Sequence, residues 1–325
     1  MLHLQSIAKY LPGPPIHSAE LEARMGWPAG WIEKNSGVET RYHASPTDSV
    51  IGMGAQALSS ALAQADLGPG DLDLLLFAAG SIDYPIPHSA CLLKAELGWT
   101  QYDFPAFDVD ATCLSFLNGL EVAAAFIESG RYARVAIVTS ELPSRSLNPE
   151  DRKTYSLFGD GAVAAIVGRS QIDRPTDTYF VNYAEGAKLA MLPAGGNAMR
   201  LNHRQNPEAD YYFQMKGRHL LKLTFKHLDQ FIASVEARFG RSIRDYARII
   251  PHQASRLGMD MFIKRFGLPG GQVQLNLPRY GNCIAASIPL GLCDAVVEEG
   301  LPPGSEVILM GTAAGLSMGA ITLEV

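Results

Sequence analysis

Cysteine is scarce in this chain: four residues (Cys91, Cys113, Cys283 and Cys293) among 325. So few in so long a chain exclude a disulfide framework, and free thiols in a reducing, cytoplasmic setting are the expectation. No apolar run approaches the ~18 residues that a membrane span requires. The opening MLHLQSIAKYLPGPP has no basic segment followed by a long apolar run, so it does not read as a secretory leader. An excess of positive charge is also missing. The formal net charge is −6, so the surface as a whole does not advertise nucleic-acid binding, and any anion-binding face has to be local. No low-complexity segment occurs.

What is present is apolar and periodic. Hydrophobic residues make up 47% of the chain and charged residues 18%, enough for a large core or two fused halves of ordinary domain size. Short apolar runs read as buried strands: 71–80 (DLDLLLFAAG), 107–111 (FDVDA), 134–141 (RVAIVTSE) and 161–168 (GAVAAIVG). Helical patterns over 49–65 and 113–130 separate them, which predicts an α/β protein with sheets buried on both faces. The second half repeats the first. LDLLLFAAGS (72–81) parallels YARIIPHQAS (246–255), RVAIV (134–138) parallels EVILM (306–310), and GAVAAIVG and GAITLEV close the two halves. An offset of 170 carries Cys113 onto Cys283, beside Asn282. Two similar halves, 1–170 and 171–325, should therefore pack with equivalent strand ends meeting at one site. The boundary is expected near GRSQIDRPTDTYF (168–180).

Those strand ends carry the chemistry. Cys113 falls where the strand 107–111 turns into a helix, where free N–H groups and the helix dipole favour a thiolate. It is a candidate nucleophile, although a small buried cysteine would also fit. His252 follows a strand in IIPHQAS, with Pro251 ending that strand. Asn282, in RYGNCIAASIPLGL, stands just before a helix, where asparagine is also a good cap. The turn in MGTAAGLSMG (310–319) joins two strands through small residues, and its N–H groups can approach a ligand as part of an oxyanion hole. Cysteine, histidine and asparagine together also fit a papain-like cysteine protease, with His252 placed 139 residues after Cys113. The tryptophan-bearing signature around the nucleophile is absent, and the internal repeat has no place in that fold.

Taken together, DATCLSF, PHQAS, GNCIAASIPLGL and GTAAGLSMG resemble the β-ketoacyl-acyl carrier protein synthase III branch of the thiolase superfamily. The resemblance runs nearly end to end, through GWIEKNSGVETRYHA (30–44), IPHSACLLKAELG (86–98) and LFGDGAVAAIVG (157–168). It implies a homodimer of five-layered αβαβα subunits, each built of two duplicated halves. It also implies a Cys113–His252–Asn282 site. Cys113 would take an acyl group from a thioester. His252, neutral, and Asn282 would then hold the thioester carbonyl of a malonyl extender as carbon dioxide leaves. Backbone N–H groups of Cys113 and Ala314 would form the oxyanion hole, and no metal or redox cofactor is implied. Substrates would be acyl thioesters of coenzyme A or of acyl carrier protein. The same fold also serves simple acyl transfer, non-decarboxylative condensation, or a non-catalytic partner subunit. The last is disfavoured by the presence of all three catalytic residue types.

Some positions depart from the family pattern. The closing turn, usually three glycines, reads Ala313, Ala314, Gly315, and alanine resists a positive φ. Trp31 and Arg152 match residues that sandwich the adenine of coenzyme A, but Asn35 stands in place of an arginine that assists at the nucleotide phosphates. Ile86 matches a phenylalanine that reaches across the dimer to cap the partner's acyl pocket, so a deeper pocket is expected. Residues 211–266 hold eleven Lys or Arg against four Asp or Glu, +7 in an acidic chain. Lys222 and Lys226 lie off the apolar stripe of Leu221, Phe225, Leu228, Ile232 and Val235. With Arg256, Lys264 and Arg265 they form a candidate docking face for an acidic acyl carrier protein.

Overall fold

The computed structural model describes residues 1–199 and 207–325. Among them, nine strands share one continuous sheet path with a branch. In the first half these are β1 (Leu2–Tyr10), β2 (Leu74–Phe77), β3 (Ala106–Asp108), β4 (Val135–Glu141) and β5 (Gly161–Arg169). In the second half they are β6 (Thr178–Asn182), β7 (Arg248–Pro251), β8 (Glu306–Ala313) and β9 (Ser317–Glu324). β2 pairs in parallel with β3 and β4; β4 then pairs antiparallel with β5, and β5 with β1. The second half repeats this order. β7 pairs in parallel with β8, β8 antiparallel with β9, and β9 antiparallel with β6. A single parallel bridge from Ile249 to Val273 stands where β3 stands in the first half. The halves join edge to edge where His3 pairs with Glu324.

Side chains alternate across these strands, so each sheet feeds two cores. Leu74, Leu76, Val135, Ile137, Val163 and Ala165 face inward with Val307, Leu309, Ile321 and Leu323 of the other half. Their neighbours Leu75, Phe77, Ala136, Val138 and Ala164 face outward. Ile249, Ile308 and Ala320 do the same in the second half. Strands buried on both faces need apolar residues at every position, which is why they read as continuous runs.

Helices fill the three spaces that result. α1 (Val50–Gln64) and α2 (Ser89–Glu96) cover the first sheet. α3 (Ser115–Glu128) and α6 (Ser287–Cys293) lie between the sheets, and α4 (Gly217–Phe239) with α5 (Arg256–Phe266) covers the second. The five layers are those expected. The central layer is the driest part of the molecule, and truncating a residue such as Leu120 there costs about 2–5 kcal/mol. No helix of the described residues is long and apolar enough to cross a membrane.

Two details differ from the sequence reading. The strand expected over 107–111 ends at Asp108, and the helix expected from 113 starts at Ser115. Local hydrogen bonds win at this junction. Asp110 Oδ1 accepts from the Thr112 N–H at 2.8 Å and Ser115 Oγ accepts from the Ala111 N–H at 2.9 Å. Thr112 is thereby held at φ 52°. Such side-chain bonds compete with strand and helix alike.

Candidate active site

Cys113 lies in the tight turn Thr112–Leu114 that leads into α3, half-buried at one end of a cavity of about 420 Å³. His252, Asn282, Ala313 and Ala314 line the same cavity. Its far wall comes from Gly80–Asp83 after β2, Leu142–Leu147 after β4, and Met191 and Leu192. The sequence-predicted trio and the closing turn are thus brought together.

Cys113 and His252 follow strands, whereas the strand end expected before Asn282 is replaced by the short helix Leu277–Tyr280. His252 is the first residue after β7, and its N–H donates to Met310 O on β8 at 2.8 Å. A Cβ at Gly311 would stand 2.6 Å from the His252 Cβ, so glycine is what lets β8 pass the histidine. The ring is buried and its Nδ1 has no hydrogen-bond partner among the described residues. Burial alone holds its pKa down, to about 4, so the imidazole is neutral.

Asn282 is pinned by LFGDG. Its N–H donates to Leu157 O at 2.8 Å, and its own carbonyl accepts from the Gly159 N–H at 3.2 Å. A Cβ at Gly159 would meet Tyr280 O at 2.2 Å, so that approach requires glycine. The Asn282 Oδ1 accepts from the Ile284 N–H at 2.9 Å and from Ser287 Oγ at 3.4 Å. The amide oxygen does the capping, and Nδ2 is left as the donor facing the cavity. Asp160 of the same motif has a structural part: it accepts from the N–H groups of Ala44 and Ser144 and from Ser144 Oγ.

The Cys113 thiol is not activated in the way its position suggested. Burial first, and then the Glu141 carboxylate, push its pKa up to about 12, against hydrogen bonds from the Ala314 and Cys113 N–H groups. The resting group is a thiol, and those two N–H groups converge on its sulfur. Ala313 and Ala314 keep ordinary backbone angles; Gly315 takes the positive φ, at 141°. The departure from three glycines therefore leaves the predicted oxyanion donors in place. The internal repeat needs one correction. Its hydrogen-bond frame runs at an offset of 172, which sets Cys113 opposite Ala285 and Asn282 opposite Asp110, not Cys113 opposite Cys283.

A second cavity, of about 350 Å³, shares His252 and runs out to a mouth at Trp31, Asn35, Lys153 and Arg218. Trp31 opens the short helix Trp31–Ser36 and Arg152 opens Arg152–Tyr155. Arg152 stacks 5.7 Å over the ring of Trp27, whose edge meets Trp31. Ile86 is 87% exposed and lines neither cavity of its own chain. On the basic face, Arg256 pairs with Asp260 at 3.0 Å, Lys226 with Glu185 at 2.9 Å, and Arg265 with Asp229. Among the described residues Lys222 and Lys264 have no ion-pair partner. Sequence reasoning missed Glu141, Gln253, Lys153 and Arg218. Gln253 is buried beside His252 and accepts from the Asn276 and Leu277 N–H groups, fixing the loop after β7. Its adjacency to the histidine was the available signal.

A five-layered fold of two like halves, with Cys, His and Asn lining one cavity, defines a condensing enzyme of the thiolase superfamily. The sequence model of 3-oxoacyl-[acyl-carrier-protein] synthase III matches residues 107–187, and that of its C-terminal part matches residues 237–325. The β-ketoacyl-[acyl-carrier-protein] synthase III of Caldanaerobacter subterraneus is 31% identical, covering 97% of this chain and 95% of its own. The crystal structure of 3-oxoacyl-[acyl-carrier-protein] synthase III from Aquifex aeolicus superposes with a TM-score of 0.87 at 29% identity, over the whole of both chains. The priming β-ketosynthase of the R1128 polyketide pathway shares the fold, with a TM-score of 0.91 at 24% identity over 100% of this chain and 96% of its own. The chain belongs to the β-ketoacyl-[acyl-carrier-protein] synthase III family, acyltransferase-type condensing enzymes. The resemblance carried by the motifs is borne out, and the protease reading falls with the fold.

Proposed function

We infer that the protein catalyses decarboxylative Claisen condensation of an acyl thioester with malonyl-acyl carrier protein, in fatty acid or polyketide-type biosynthesis. The observation that carries the reading is the Asn282 amide: its oxygen is occupied by the Ile284 N–H, so Nδ2 is the group offered to substrate beside neutral His252. In the first step the Cys113 sulfur attacks the thioester carbonyl, the Cys113 and Ala314 N–H groups hold the oxyanion, and the departing thiol carries off the cysteine's proton. In the second step the malonyl carboxylate leaves as carbon dioxide. His252 and Asn282 Nδ2 donate to the enolate oxygen, and the enolate carbon attacks the acyl group on Cys113. The released thiolate takes a proton from water, which replaces the one carried off by the first thiol, and the resting thiol returns. The thioesters supply both leaving groups, so the scheme calls for no metal or redox cofactor.

The carrier protein is read as the partner of the face bearing Lys222, Lys264, Arg256 and Arg265, at the mouth end of the second cavity. Ion pairing of Arg256 and Arg265 leaves the two lysines as the more available charges. A second copy of the chain is read as covering the exposed apolar stretch Ile82, Tyr84 and Ile86 that continues the cavity wall. The test is a paired measurement of acyl-enzyme mass and carbon dioxide release. His252→Ala and Asn282→Ala should still load an acyl group on Cys113 but lose carbon dioxide release by roughly 100- to 1000-fold. Cys113→Ala should not load yet should retain decarboxylation. Normal condensation by Asn282→Ala would mean that Nδ2 is not the donor, and loading without carbon dioxide release in the wild type would leave simple acyl transfer as the reading.

A further inference from the structure

Glu141, the last residue of β4, is fully buried and takes no part in the scheme above. Its carboxylate accepts from the Gly80 N–H at 2.8 Å, the Ser81 N–H at 3.0 Å and Ser81 Oγ at 2.5 Å. The Ala285 N–H also donates to it. Ser81 Oγ in turn accepts from the Leu142 N–H at 3.2 Å. One side chain thus ties together the segment after β2, the segment after β4 and the turn after Asn282. All three wall the cavity that holds Cys113. Four donors satisfy a carboxylate, yet they are neutral, and a Cβ at Gly80 would stand 3.7 Å from both the Glu141 Oε1 and the Thr112 Cα, so an uncancelled charge lies beside the turn that carries Cys113.

We propose that Glu141 is a positioning residue of the condensation site, clamping the walls of the acyl cavity and, by its charge, holding Cys113 as the resting thiol. Burial and the donors oppose each other on Glu141 itself, with burial prevailing, and its pKa is pushed up to about 7. Its charge is therefore variable near neutrality, and each proton it takes up eases ionisation of Cys113. The other groups facing this pair are accounted for. His252 is neutral. Asp83 caps the Val50 and Ile51 N–H groups, Arg145 bonds Ser45 O and Asp48 O, and Asp160 is held by Ala44 and Ser144. Cys283 is a buried thiol with its own pKa raised well above the usual, partly by Glu141.

The proposal rests on Cys113 being the nucleophile. Alkylation by iodoacetamide reads that thiol without any condensation step, so the two readings fail separately. The rate of Cys113 alkylation is followed against pH by peptide mass spectrometry, and the acyl-chain profile is measured by loading from a panel of thioesters. Glu141→Gln removes the charge and should move the alkylation midpoint down by about one pH unit. Ser81→Ala removes one donor and keeps Glu141 protonated to higher pH, so the break in the rate–pH line where Glu141 ionises, near 7, should move up while the midpoint of Cys113 stays near wild type. Glu141→Asp keeps the charge but shortens the reach, so the midpoint should stay near wild type while the chain-length profile changes. If Glu141→Gln does not fold, Ser81→Ala decides. An unchanged or raised midpoint in Glu141→Gln, an unmoved break in Ser81→Ala, or an unchanged chain profile in Glu141→Asp overturns the corresponding half of the proposal.

Discussion

The segments 110–115 and 282–287 are the same piece of architecture used twice. In each, a side-chain oxygen accepts from the N–H two residues on: Asp110 to Thr112 at 2.8 Å, Asn282 to Ile284 at 2.9 Å. In each, the residue so held has a positive φ, 52° at Thr112 and 49° at Ile284. In each, a serine hydroxyl four residues on accepts a backbone N–H at 2.9 Å, Ser115 from Ala111 and Ser287 from Cys283. The strands feeding the frame match as well: Ala78 N–H donates to Val138 O at 2.7 Å, as His252 N–H does to Met310 O at 2.8 Å. With the backbone constant, function follows from four side chains. The first frame has Cys113 where the second has Ala285, and Asp110 where the second has Asn282. The strand ends pair Ala78 with His252, and Leu142 with Ala314. On the proposed scheme the nucleophile comes from one half and the extender's donors, His252 and Asn282, from the other, which would place the reaction where two half-sites meet.

The comparison is broken most severely by making the second frame resemble the first. Asn282→Asp keeps an oxygen for the Ile284 N–H, so the turn is preserved, but it removes both Nδ2 donors. Condensation should fall by roughly 100- to 1000-fold, while Cys113 still loads acyl groups, though more slowly beside an added negative charge. Wild-type condensation in this variant would mean that Nδ2 is not the donor.

A smaller effect sets two buried groups against each other. His252 takes its proton near 6.5 when unfolded and near 4 when folded, so stability falls as pH drops through that window. Glu141 goes from 4.5 unfolded to about 7 folded, so its contribution is present at low pH and lost as pH rises through about 7. Between pH 4.5 and 6.5 the two slopes oppose, each worth about 2–3 kcal/mol. Urea titrations at both pH values should show His252→Gln losing stability as pH rises and Glu141→Gln losing it as pH falls. A flat profile in either variant would mean that the group it retains is solvated.

Much of this was legible in the sequence. Buried strands announce themselves as apolar runs, and the repeat of those runs set Cys113, His252 and Asn282 at equivalent strand ends, of which the structure keeps Cys113 and His252 while Asn282 follows the short helix Leu277–Tyr280. What was not legible depends on hydrogen bonds between residues distant in the chain. The register of the repeat is fixed by the caps at Asp110, Asn282, Ser115 and Ser287, not by the apolar matches, and matching cysteine to cysteine slipped it by two residues. The state of the Cys113 thiol is set by burial and by Glu141, which sits 28 positions away at the end of a run that looks purely structural. The readings of Ile86 and of the basic face rest on proposed contacts with a second copy and a carrier protein, and neither contact is displayed by one chain.

The smallest effect sharpens the comparison from the other side, because it should be nothing at all. Ala285→Cys places a thiol in the second frame at the position Cys113 holds in the first. The backbone there is already correct, and Ala285 is fully buried. Yet the N–H that would serve as its oxyanion donor is engaged by Glu141. The strand end that would supply a histidine carries Ala78, and the N–H of Leu142, counterpart of Ala314, is taken by Ser81 Oγ at 3.2 Å. A nucleophile with no vacant oxyanion hole gains little from the frame alone. Intact mass after incubation with an acyl thioester should show one acyl group per chain, as in wild type, and peptide mapping should place it on Cys113. Acyl label at position 285 would show that the turn by itself makes a cysteine reactive, and that the division of labour between the halves is not what confines the chemistry to one of them.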